Sequence, residues 1–314
     1  MKAAVVTTPG QPPEYIDFQD PVAADGETLI QVKAAPLSPI VKALAAGRHY
    51  SSAATAGFVP GVDGVGVDPD GRRVYFLFPK APFGSMGERA LAPAGMLVPA
   101  PDALSDVQAA GIATGGLASW VALTRRAPPE PGSTVLINGV TGAAGAMAVQ
   151  IARHLGAGKV VGTGRNRARL NALDLDTAIA LDADADDLLR AAFAQGVDIV
   201  LDFVWGEPAA RVIAAAAANR GSRSGEPRLR YVQLGTVAGD QIALRGDALR
   251  SSGLELLGSG IGSVAIDQLL QGAHELLTLA PTAGFTANVE ILPLSQVADA
   301  WAGDPSVRYV LAPG

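Results

Sequence analysis

Three glycines at regular spacing mark the stretch of this chain that is best suited to chemistry. Gly139, Gly142 and Gly145 lie three residues apart, directly after the apolar run 135–137. Glycine at such positions permits a sharp turn and lets a ligand approach the backbone closely. Residues 146–155 then carry apolar side chains at helical spacing, so the turn leads into a helix N-terminus, which favours an anion. The pattern of strand, glycine turn and helix is typical of a site for the pyrophosphate of a dinucleotide.

The residues after the next predicted strand indicate which dinucleotide binds. An NAD site has Asp or Glu here for the ribose 2′-OH, whereas an NADP site has a cation for the 2′-phosphate. Segment 162–169 reads GTGRNRAR and contains no acidic residue. Because a guanidinium group binds phosphate through two parallel hydrogen bonds, we expect Arg165 to make this contact. Asn166, Arg167 and Arg169 are further candidates, although a solvated helix start explains Arg167 and Arg169 equally well. The sequence therefore predicts NADP(H).

Composition narrows the class of protein. The net charge of -6 over 314 residues argues against a nucleic-acid partner, which requires clustered Lys and Arg. The absence of cysteine excludes a disulfide framework, a thiolate metal site and a thiol nucleophile. The first ten residues are interrupted by Pro9 and Gly10, unlike a signal peptide, and no apolar run approaches the roughly 18 residues of a membrane helix. We expect a cytoplasmic protein with no membrane partner.

The local composition of the chain changes near residues 115 and 260. Before residue 115, short strand-like runs alternate with Pro, Gly and Asp, which favours a small β-barrel-like domain. Between the two points, strands alternate with helices, as in a parallel doubly wound sheet. After the first two strands of this region we predict strands at 178–181, 198–201, 231–234 and 254–257, and a surface loop at 221–230. A closing helix at 294–301 and strand at 308–311 are predicted to return to the first domain.

Several segments together resemble the zinc-independent quinone oxidoreductase branch of the medium-chain dehydrogenase/reductase superfamily. They are PGVDGVGV at 60–67, GSMGERALAPAGMLVPAPDALSD at 84–106, GLASWVAL at 116–123, NGVTGAAGAMAVQIARHLGA at 138–157 and RYVLAP at 308–313. The resemblance implies an α/β fold in which a GroES-like, β-barrel-type catalytic domain, 1–115 and 263–314, accompanies a Rossmann NADP-binding domain, 116–262. It also implies a cleft between these domains, and often a homodimer formed through the last strand of the cofactor domain, here near 254–257.

The resemblance implies a cofactor site spread over several strand ends, where open α/β sheets bind their ligands. It gives the glycine turn to the pyrophosphate, the residues after the second strand to the adenosine ribose phosphate, and later strand ends to the nicotinamide half. The predicted cofactor-binding residues are Asn138, Gly139, Thr141, Gly142, Ala143, Ala144, Gly145, Gly164, Arg165, Asn166, Arg169, Phe203, Val204, Gly235, Thr236, Gly258 and Ser259. Asp202 is a further candidate, although an Asp after an apolar strand more often caps the next turn.

The sequence departs from the zinc-dependent alcohol dehydrogenases of the same superfamily, which hold a catalytic metal with Cys, His and a GHE segment. Here GVDG, 61–64, stands where GHE would fall, and His49, His154 and His274 lie in different predicted elements. Because zinc needs several ligands converging on one tetrahedral site, we expect no bound metal. Without a Lewis acid, acceptors that take up hydride readily are favoured, such as quinones and conjugated enones.

Two residues near the start of the chain are candidates for handling the acceptor. Segment 47–50 resembles the family segment that places a tyrosine at the substrate cleft, so Tyr50 can hydrogen-bond a carbonyl or donate a proton, with His49 as the alternative. The alternative interpretation, equally compatible with the sequence, is that Tyr50 only lines the pocket and that water supplies the proton. Ser38 replaces the usual asparagine of the family, and Ala118 its usual threonine; both positions normally lie near the nicotinamide.

These observations favour an NADPH-dependent, zinc-free oxidoreductase that transfers a hydride to a small hydrophobic quinone or α,β-unsaturated carbonyl. One alternative is a relative of the zinc-type alcohol dehydrogenases. The other is an NADPH-binding or redox-sensing protein without turnover, which the changed residues Ser38 and Ala118 leave open.

Overall fold

The computed structural model describes residues 1–49, 52, 56–218, 220–304 and 307–314. Its strands are β1 (Lys2–Val5), β2 (Glu14–Asp17), β3 (Glu27–Pro36), β4 (Asp63–Val67), β5 (Arg73–Leu77), β6 (Arg89–Pro93), β7 (Leu97–Pro99), β8 (Thr134–Asn138), β9 (Lys159–Gly164), β10 (Thr177–Ala180), β11 (Ile199–Asp202), β12 (Arg228–Gln233), β13 (Gly253–Gly258), β14 (Val289–Pro293) and β15 (Arg308–Ala312).

Its α-helices are α1 (Pro39–Ala45), α2 (Asp106–Val121), α3 (Ala143–His154), α4 (Arg167–Asn171), α5 (Ala185–Ala194), α6 (Gly206–Ala217), α7 (Gly246–Arg250), α8 (Ile266–Ala283) and α9 (Val297–Ala302). A π-helical segment, Ala122–Arg126, continues α2. The chain divides into two compact units, the first formed by Met1–Gly115 with Leu270–Gly314 and the second by Gly116–Leu269.

The second unit is built on a parallel sheet. In the described residues, six strands lie in the order β10-β9-β8-β11-β12-β13, and each neighbouring pair is parallel. The strand order therefore reverses between β8 and β11, where Ile137 lies opposite Leu201. In open sheets of this kind, ligands bind beyond the carboxyl ends of the strands at the point of reversal.

Apolar residues explain why the central strands of this sheet lie in the interior. Leu136 in β8 and Val200 in β11 are fully buried, as in parallel sheets that are covered on both faces. Leu189 of α5 and Val212 of α6 pack in the same apolar cluster. Each side chain of this size contributes about 1.5–3 kcal/mol when it leaves water, so the core holds the strand ends in fixed positions.

The first unit contains a mixed sheet in which the long strand β3 is central. The described strands follow the path β14-β15-β3-β4-β5-β7, with β6 also paired to β3 and a separate hairpin of β1 and β2. A shift of register between Val32 and Ala34 interrupts the pairing of β3 with β4. Near its end, β3 pairs with β15, so that Val310 lies opposite Pro36. The predicted α/β fold is confirmed, and strand 308–311 joins the first unit as expected.

The predicted loop at 221–230 is wrong at its C-terminal end. Strand β12 begins at Arg228, and Arg228 and Arg230 lie opposite Gly253 and Glu255 of β13. The polar and interrupted sequence of this segment suggested a surface loop, but Arg228 forms an ion pair with Glu255 across the strands, Nε to Oε1 at 2.7 Å. A charged side chain on the exposed face of a strand is therefore compatible with its pairing.

One helical segment differs from the expectation drawn from apolar runs. Residues 106–126 are long and apolar enough to cross a membrane by length and composition alone. However, 67% of the apolar window in this segment is buried inside the protein, and the buried core helix of a globular protein passes the same test. The segment is thus weak support for a membrane span.

Candidate functional site

The glycine turn joins β8 to α3 where the strand order of the second unit reverses. Gly139 has a φ of +89°, and a Cβ atom there would lie 2.6 Å from Cγ1 of Val204. At Gly145 a Cβ atom would lie 2.4 Å from the carbonyl oxygen of Gly139 and 2.6 Å from Cα of Val140. Gly142, the N-cap of α3, is less crowded, with its nearest such contact at 3.5 Å. A side chain therefore does not fit at Gly139 or Gly145, whereas there is room for one at Gly142.

The start of α3 presents backbone donors. Its N-cap is Gly142, which has no side chain with which to cap the helix, and the first turn carries no acidic residue. The first N–H groups of a helix have no partner within it, and the helix dipole places about half a positive charge at this end. Thr141, Ala143 and Ala144 are partly exposed. This arrangement can bind a pyrophosphate through main-chain hydrogen bonds.

Beneath the turn, a buried hydrogen-bond network connects four neighbouring strands. Oδ1 of Asn138 accepts from Oγ1 of Thr163 at 2.6 Å, and Nδ2 of Asn138 donates to Oδ1 of Asp202 at 2.9 Å. The hydroxyl of Tyr231 donates to Oδ2 of Asp202 at 2.8 Å. Both polar atoms of the Asn138 side chain are thus already bound within the sheet. Its part in the site is to hold the end of β8 in place.

Asp202 fixes the next strand end as well. Its Oδ1 accepts from the backbone N–H groups of Val204 at 3.0 Å and Trp205 at 3.1 Å, so it caps the turn after β11. Burial raises the pKa of Asp202, while its hydrogen bonds oppose that shift. Trp205 has a φ of +53°, a strained conformation for a residue with a side chain, costing about 1–3 kcal/mol. The hydrogen bond from the N–H of Trp205 to Asp202 therefore helps to hold Trp205 in this strained backbone conformation.

The sequence analysis did not single out Thr163 or Tyr231. Each carries a hydroxyl group and is fully buried, Thr163 in β9 and Tyr231 in β12. Buried polar groups need partners, so this placement is the signal that could have identified them. Their partners are 25 and 29 residues away in sequence, which only the sheet order reveals.

The strand ends beyond this network lie along the same edge of the sheet. The N–H of Phe203 donates to the carbonyl of Asn138 at 3.1 Å, and the N–H of Ala238 donates to that of Val204 at 2.7 Å. A Cβ atom at Gly235 would lie 2.5 Å from the carbonyl oxygen of Phe203. The structure therefore brings the turns after β8, β11 and β12 together. The predicted residues at the carboxyl ends of β11, β12 and β13 are Phe203, Val204, Gly235, Thr236, Gly258 and Ser259.

The end of β9 holds the residues predicted for the adenosine half. Gly164 is buried, and a Cβ atom there would lie 2.7 Å from Cγ2 of Thr141. Arg165, the next residue, is exposed and has no hydrogen bond or ion pair with any residue that the structure describes. The side chain of Asn166 caps α4 by accepting from the N–H of Arg169 at 3.1 Å. Arg167 forms an ion pair with Asp182.

The candidates for handling an acceptor lie in the first unit. Tyr50 falls outside the described residues. His49 is partly buried, and burial lowers its pKa, so the neutral imidazole is favoured at pH 7. Ser38 is 5% exposed and is the N-cap of α1, and its Oγ has no hydrogen-bond partner among the described residues. Ala118, on α2, is exposed and belongs to the second unit.

The described residues contain no group of three His, Asp or Glu side chains that could hold a metal ion. The ring of His154 lies 6.5 Å from that of Trp120, and His274 is on α8. Asp63, in the segment where zinc dehydrogenases carry GHE, is buried and accepts a hydrogen bond from the hydroxyl of Tyr75 at 2.8 Å. The absence of zinc remains a prediction.

Comparison with known proteins finds similarity to quinone reductases over the full length of the chain. No family model matches it. It is 28% identical, over 100% of both chains, to the probable NADPH-dependent quinone reductase tdiC of Emericella nidulans. Its structure matches the quinone oxidoreductase of Thermus thermophilus, solved also in complex with NADPH, with a TM-score of 0.81, 27% identity and coverage of 99% and 100%. A quinone oxidoreductase of Pseudomonas syringae pv. tomato shares the fold, with a TM-score of 0.84, 23% identity and 99% of each chain covered.

The sheet order, the glycine turn at the strand reversal and these full-length similarities agree with each other. The chain therefore resembles, over its full length, the quinone oxidoreductase branch of the medium-chain dehydrogenase/reductase superfamily.

Proposed function

We propose that this protein is an NADPH-dependent oxidoreductase that transfers a hydride to a small hydrophobic quinone or α,β-unsaturated carbonyl. The observation that carries the proposal is Arg165, a guanidinium without a partner among the described residues, placed just after the strand next to the glycine turn. The names of the relatives support the proposal, since tdiC is described as NADPH-dependent and the Thermus thermophilus enzyme was solved with NADPH.

The residues of the second unit fit an NADP(H) molecule. Side chains at Gly139 and Gly145 would clash with backbone or neighbouring atoms, so glycine at these two positions lets the turn pack tightly under the start of α3. The N–H groups at the start of α3 would bind the pyrophosphate and Arg165 the 2′-phosphate. Gly164 would lie beside the ribose, and the turns after β11, β12 and β13 would hold the nicotinamide half. When bound, the reduced nicotinamide supplies the hydride.

The reaction also needs one proton, and we propose that residues of the first unit manage it. His49 is held neutral by partial burial, so one ring nitrogen can donate a hydrogen bond to an acceptor carbonyl. Tyr50 is the other candidate donor. Ser38 has a buried hydroxyl without a partner in the described chain, so it is able to orient the oxygen of an acceptor. Water remains the alternative proton source.

We further propose that the enzyme works without zinc, as a homodimer in the cytoplasm. The chain contains no cysteine and three histidines, and none of its described His, Asp and Glu residues gather into a metal-binding group. The first unit would be the GroES-like catalytic domain predicted for 1–115 and 263–314, and the second the Rossmann domain predicted for 116–262. β13 lies at one edge of the described sheet and is the strand through which dimerisation is proposed.

A labelled cofactor tests the hydride transfer and separates the two acceptor classes. NADPH carrying deuterium at the transferred position of its nicotinamide is incubated with the enzyme and a conjugated enone, and the product mass is measured. Transfer to the β-carbon would add one non-exchangeable deuterium, with the α-carbon protonated by the enzyme or by water. A parallel reaction with a quinone would give an unlabelled hydroquinone, because hydroxyl deuterium exchanges with solvent. Consumption of neither acceptor would contradict the proposed function.

A further inference from the structure

Two buried charges lie in the first unit, near the corner where β3 passes into α1. Asp63 is 3% exposed and Arg308 is 6% exposed. Each charge favours the ionised form of the other, which opposes the effect of burial on both pKa values. A charge inside a protein costs several kcal/mol unless it is paired and hydrogen-bonded. The proposed reaction uses neither residue, so the pair requires an explanation.

Arg308 holds the backbone at this corner. Its Nη1 donates to the carbonyl oxygen of Leu37 at 2.8 Å, a buried hydrogen bond. The N–H of Leu37 donates to the carbonyl of Tyr309 at 2.9 Å. Both polar backbone groups of Leu37 are thus bound by two consecutive residues of β15. The following residue is Ser38, whose carbonyl accepts from the N–H of Val41 at 3.1 Å as α1 begins.

Asp63 is itself held by other elements of the unit. Its Oδ2 accepts from the hydroxyl of Tyr75 on β5, at 2.8 Å, and from the hydroxyl of Thr114 on α2. These two hydrogen bonds fix the carboxylate whose charge balances that of Arg308. Tyr75 and Thr114 therefore fix Asp63, the charge of Asp63 favours that of Arg308, and Arg308 fixes the backbone next to Ser38.

Three polar atoms of this group are buried without a hydrogen-bond partner in the described chain: Oδ1 of Asp63, Nε of Arg308 and Oγ of Ser38. A buried polar atom left unsatisfied costs about 1–3 kcal/mol, so each such atom needs an explanation. In a purely structural ion pair, side chains tend to pair all their polar atoms. Of these three atoms, only Oγ of Ser38 is assigned to the acceptor in the proposed function.

We propose that Arg308, with its charge balanced by Asp63, is a positioning residue for the reaction. By fixing the carbonyl of Leu37, it sets the direction of the Ser38 hydroxyl toward the acceptor. This inference rests on the proposed function, in which Ser38 orients the acceptor oxygen. Arg308 does not touch the acceptor or the cofactor.

The test compares Arg308→Lys, Ser38→Ala and the double variant with the full-length wild-type enzyme. Arg308→Lys keeps the charge but loses the fixed guanidinium geometry. We expect kcat with a quinone or enone to fall about 10- to 100-fold in each single variant, because small misplacements near a reacting group have effects of this size. NADPH binding, titrated separately, should change less than about twofold, since every predicted cofactor residue lies in the second unit. The kcat of the double variant should be no lower than the kcat of the less active single variant.

Arg73→Lys is the matched control. Arg73 also lies in the first unit, where it donates to the carbonyl oxygen of Leu104 at 2.8 Å and to Oδ1 of Asp106. It should leave kcat unchanged. If Arg308→Lys folds poorly, Asp63→Asn with Arg308→Gln removes both charges and is expected to fold with the same loss of kcat, because a glutamine side chain is too short to reach Leu37.

The outcomes are distinct. If the wild-type enzyme turns over and Arg308→Lys has the same kcat, the inference is overturned. It is also overturned if the fold-losses in kcat of Ser38→Ala and Arg308→Lys multiply in the double variant, because the two residues would then act independently. An equal loss in Arg73→Lys would show a general effect on the unit and overturn it too. If the wild-type enzyme turns over no acceptor while it binds NADPH, the proposed function fails, and the inference fails with it.

Discussion

At the scale of single residues, the three arginines after β9 differ in what they already contact. Arg165 has no partner in the described chain, Arg167 forms an ion pair with Asp182, and the backbone N–H of Arg169 is bound by the cap residue Asn166. The sequence ranked Arg165 first because of its position, but could not separate Arg167 from a solvated helix start. The ion pair with Asp182 distinguishes Arg167 from Arg165, and the position of Asp182 relative to Arg167 is known only from the fold.

Arg165→Ala should therefore change the choice of cofactor. We expect NADPH binding to weaken by about 1.5–3 kcal/mol, the range for a hydrogen bond to a charged group, while NADH binding changes little. Fluorescence titration with both cofactors measures the difference. Arg190→Ala is the control, because Arg190 forms an exposed ion pair with Asp187 on α5. Equal weakening of NADPH and NADH by Arg165→Ala would refute the assignment.

At the scale of elements, the glycine turn was predictable and the network beneath it was not. Glycine spacing between a strand and a helix is visible in one short segment of sequence. Asn138 and Asp202 are 64 residues apart, and their hydrogen bond depends on β8 and β11 being neighbours. Asp202 was expected either to bind the cofactor or to cap the next turn; the structure shows it capping the turn. The strand start at Arg228 was missed because its pairing partner lies in a later segment.

Two glycines of the turn should respond differently to alanine. Gly145→Ala places a methyl group against the backbone of Gly139 and Val140, which cannot move aside, so we expect a loss of about 1–3 kcal/mol of stability and of NADPH binding. Gly142→Ala has room for its methyl group and should fold normally. Its methyl group would nevertheless lie beside the pyrophosphate, so NADPH binding should weaken. Thermal unfolding and NADPH titration of both variants check this, and equal Tm values for the two would contradict it.

The connection between β9 and β10 should show a specific dependence on pH. Asp176 accepts from the N–H of Val160 at 2.7 Å and from Nη2 of Arg153 at 2.6 Å. The backbone hydrogen bond from Val160, followed by Arg153, lowers the pKa of Asp176 below its usual 3.8. The unfolded state therefore binds this proton more readily, so the contribution of Asp176 to stability is present above pH 3.8 and is lost as the pH falls through the folded-state pKa.

Asp176→Asn should accordingly lower the free energy of unfolding by about 0.5–1.5 kcal/mol at neutral pH, a value reduced because the side chain is 39% exposed. The difference in the free energy of unfolding between the variant and the wild type should disappear in acid. Urea unfolding across this pH range measures it. Asp174→Asn is the control, since that carboxylate is 87% exposed and lies 3.6 Å from Nε of Arg153. A gap that stays constant down to low pH would rule out this explanation.

At the scale of the whole molecule, the sequence predicted the parallel sheet and the return of the last strand to the first unit. The local alternation of strands and helices and the family resemblance were sufficient for both. Neither the buried pair of Asp63 and Arg308 nor its link to Leu37 could be predicted. Arg308 and Asp63 are 245 residues apart in sequence. The sequence indicated Arg308 only as part of the closing strand.

The proposed homodimer makes a prediction at this scale. β13 is an edge strand in the described sheet, and Leu256 within it is 37% exposed. Unpaired edges of this kind associate readily with a second copy. We expect light scattering to give twice the chain mass for the wild type and the single-chain mass for Leu256→Lys. Leu188→Lys, on the exposed face of α5, should remain a dimer. A wild-type protein at the single-chain mass would contradict the proposal.

The central claim is that the enzyme reduces acceptors with NADPH and without a metal. Its most direct test is the rate of NADPH oxidation, followed by absorbance, with quinones and conjugated enones in the presence of a strong chelator, repeated with NADH. We predict turnover that the chelator does not reduce, with NADPH strongly preferred. Saturable NADPH binding without turnover of any acceptor, or turnover that the chelator abolishes, would contradict the claim.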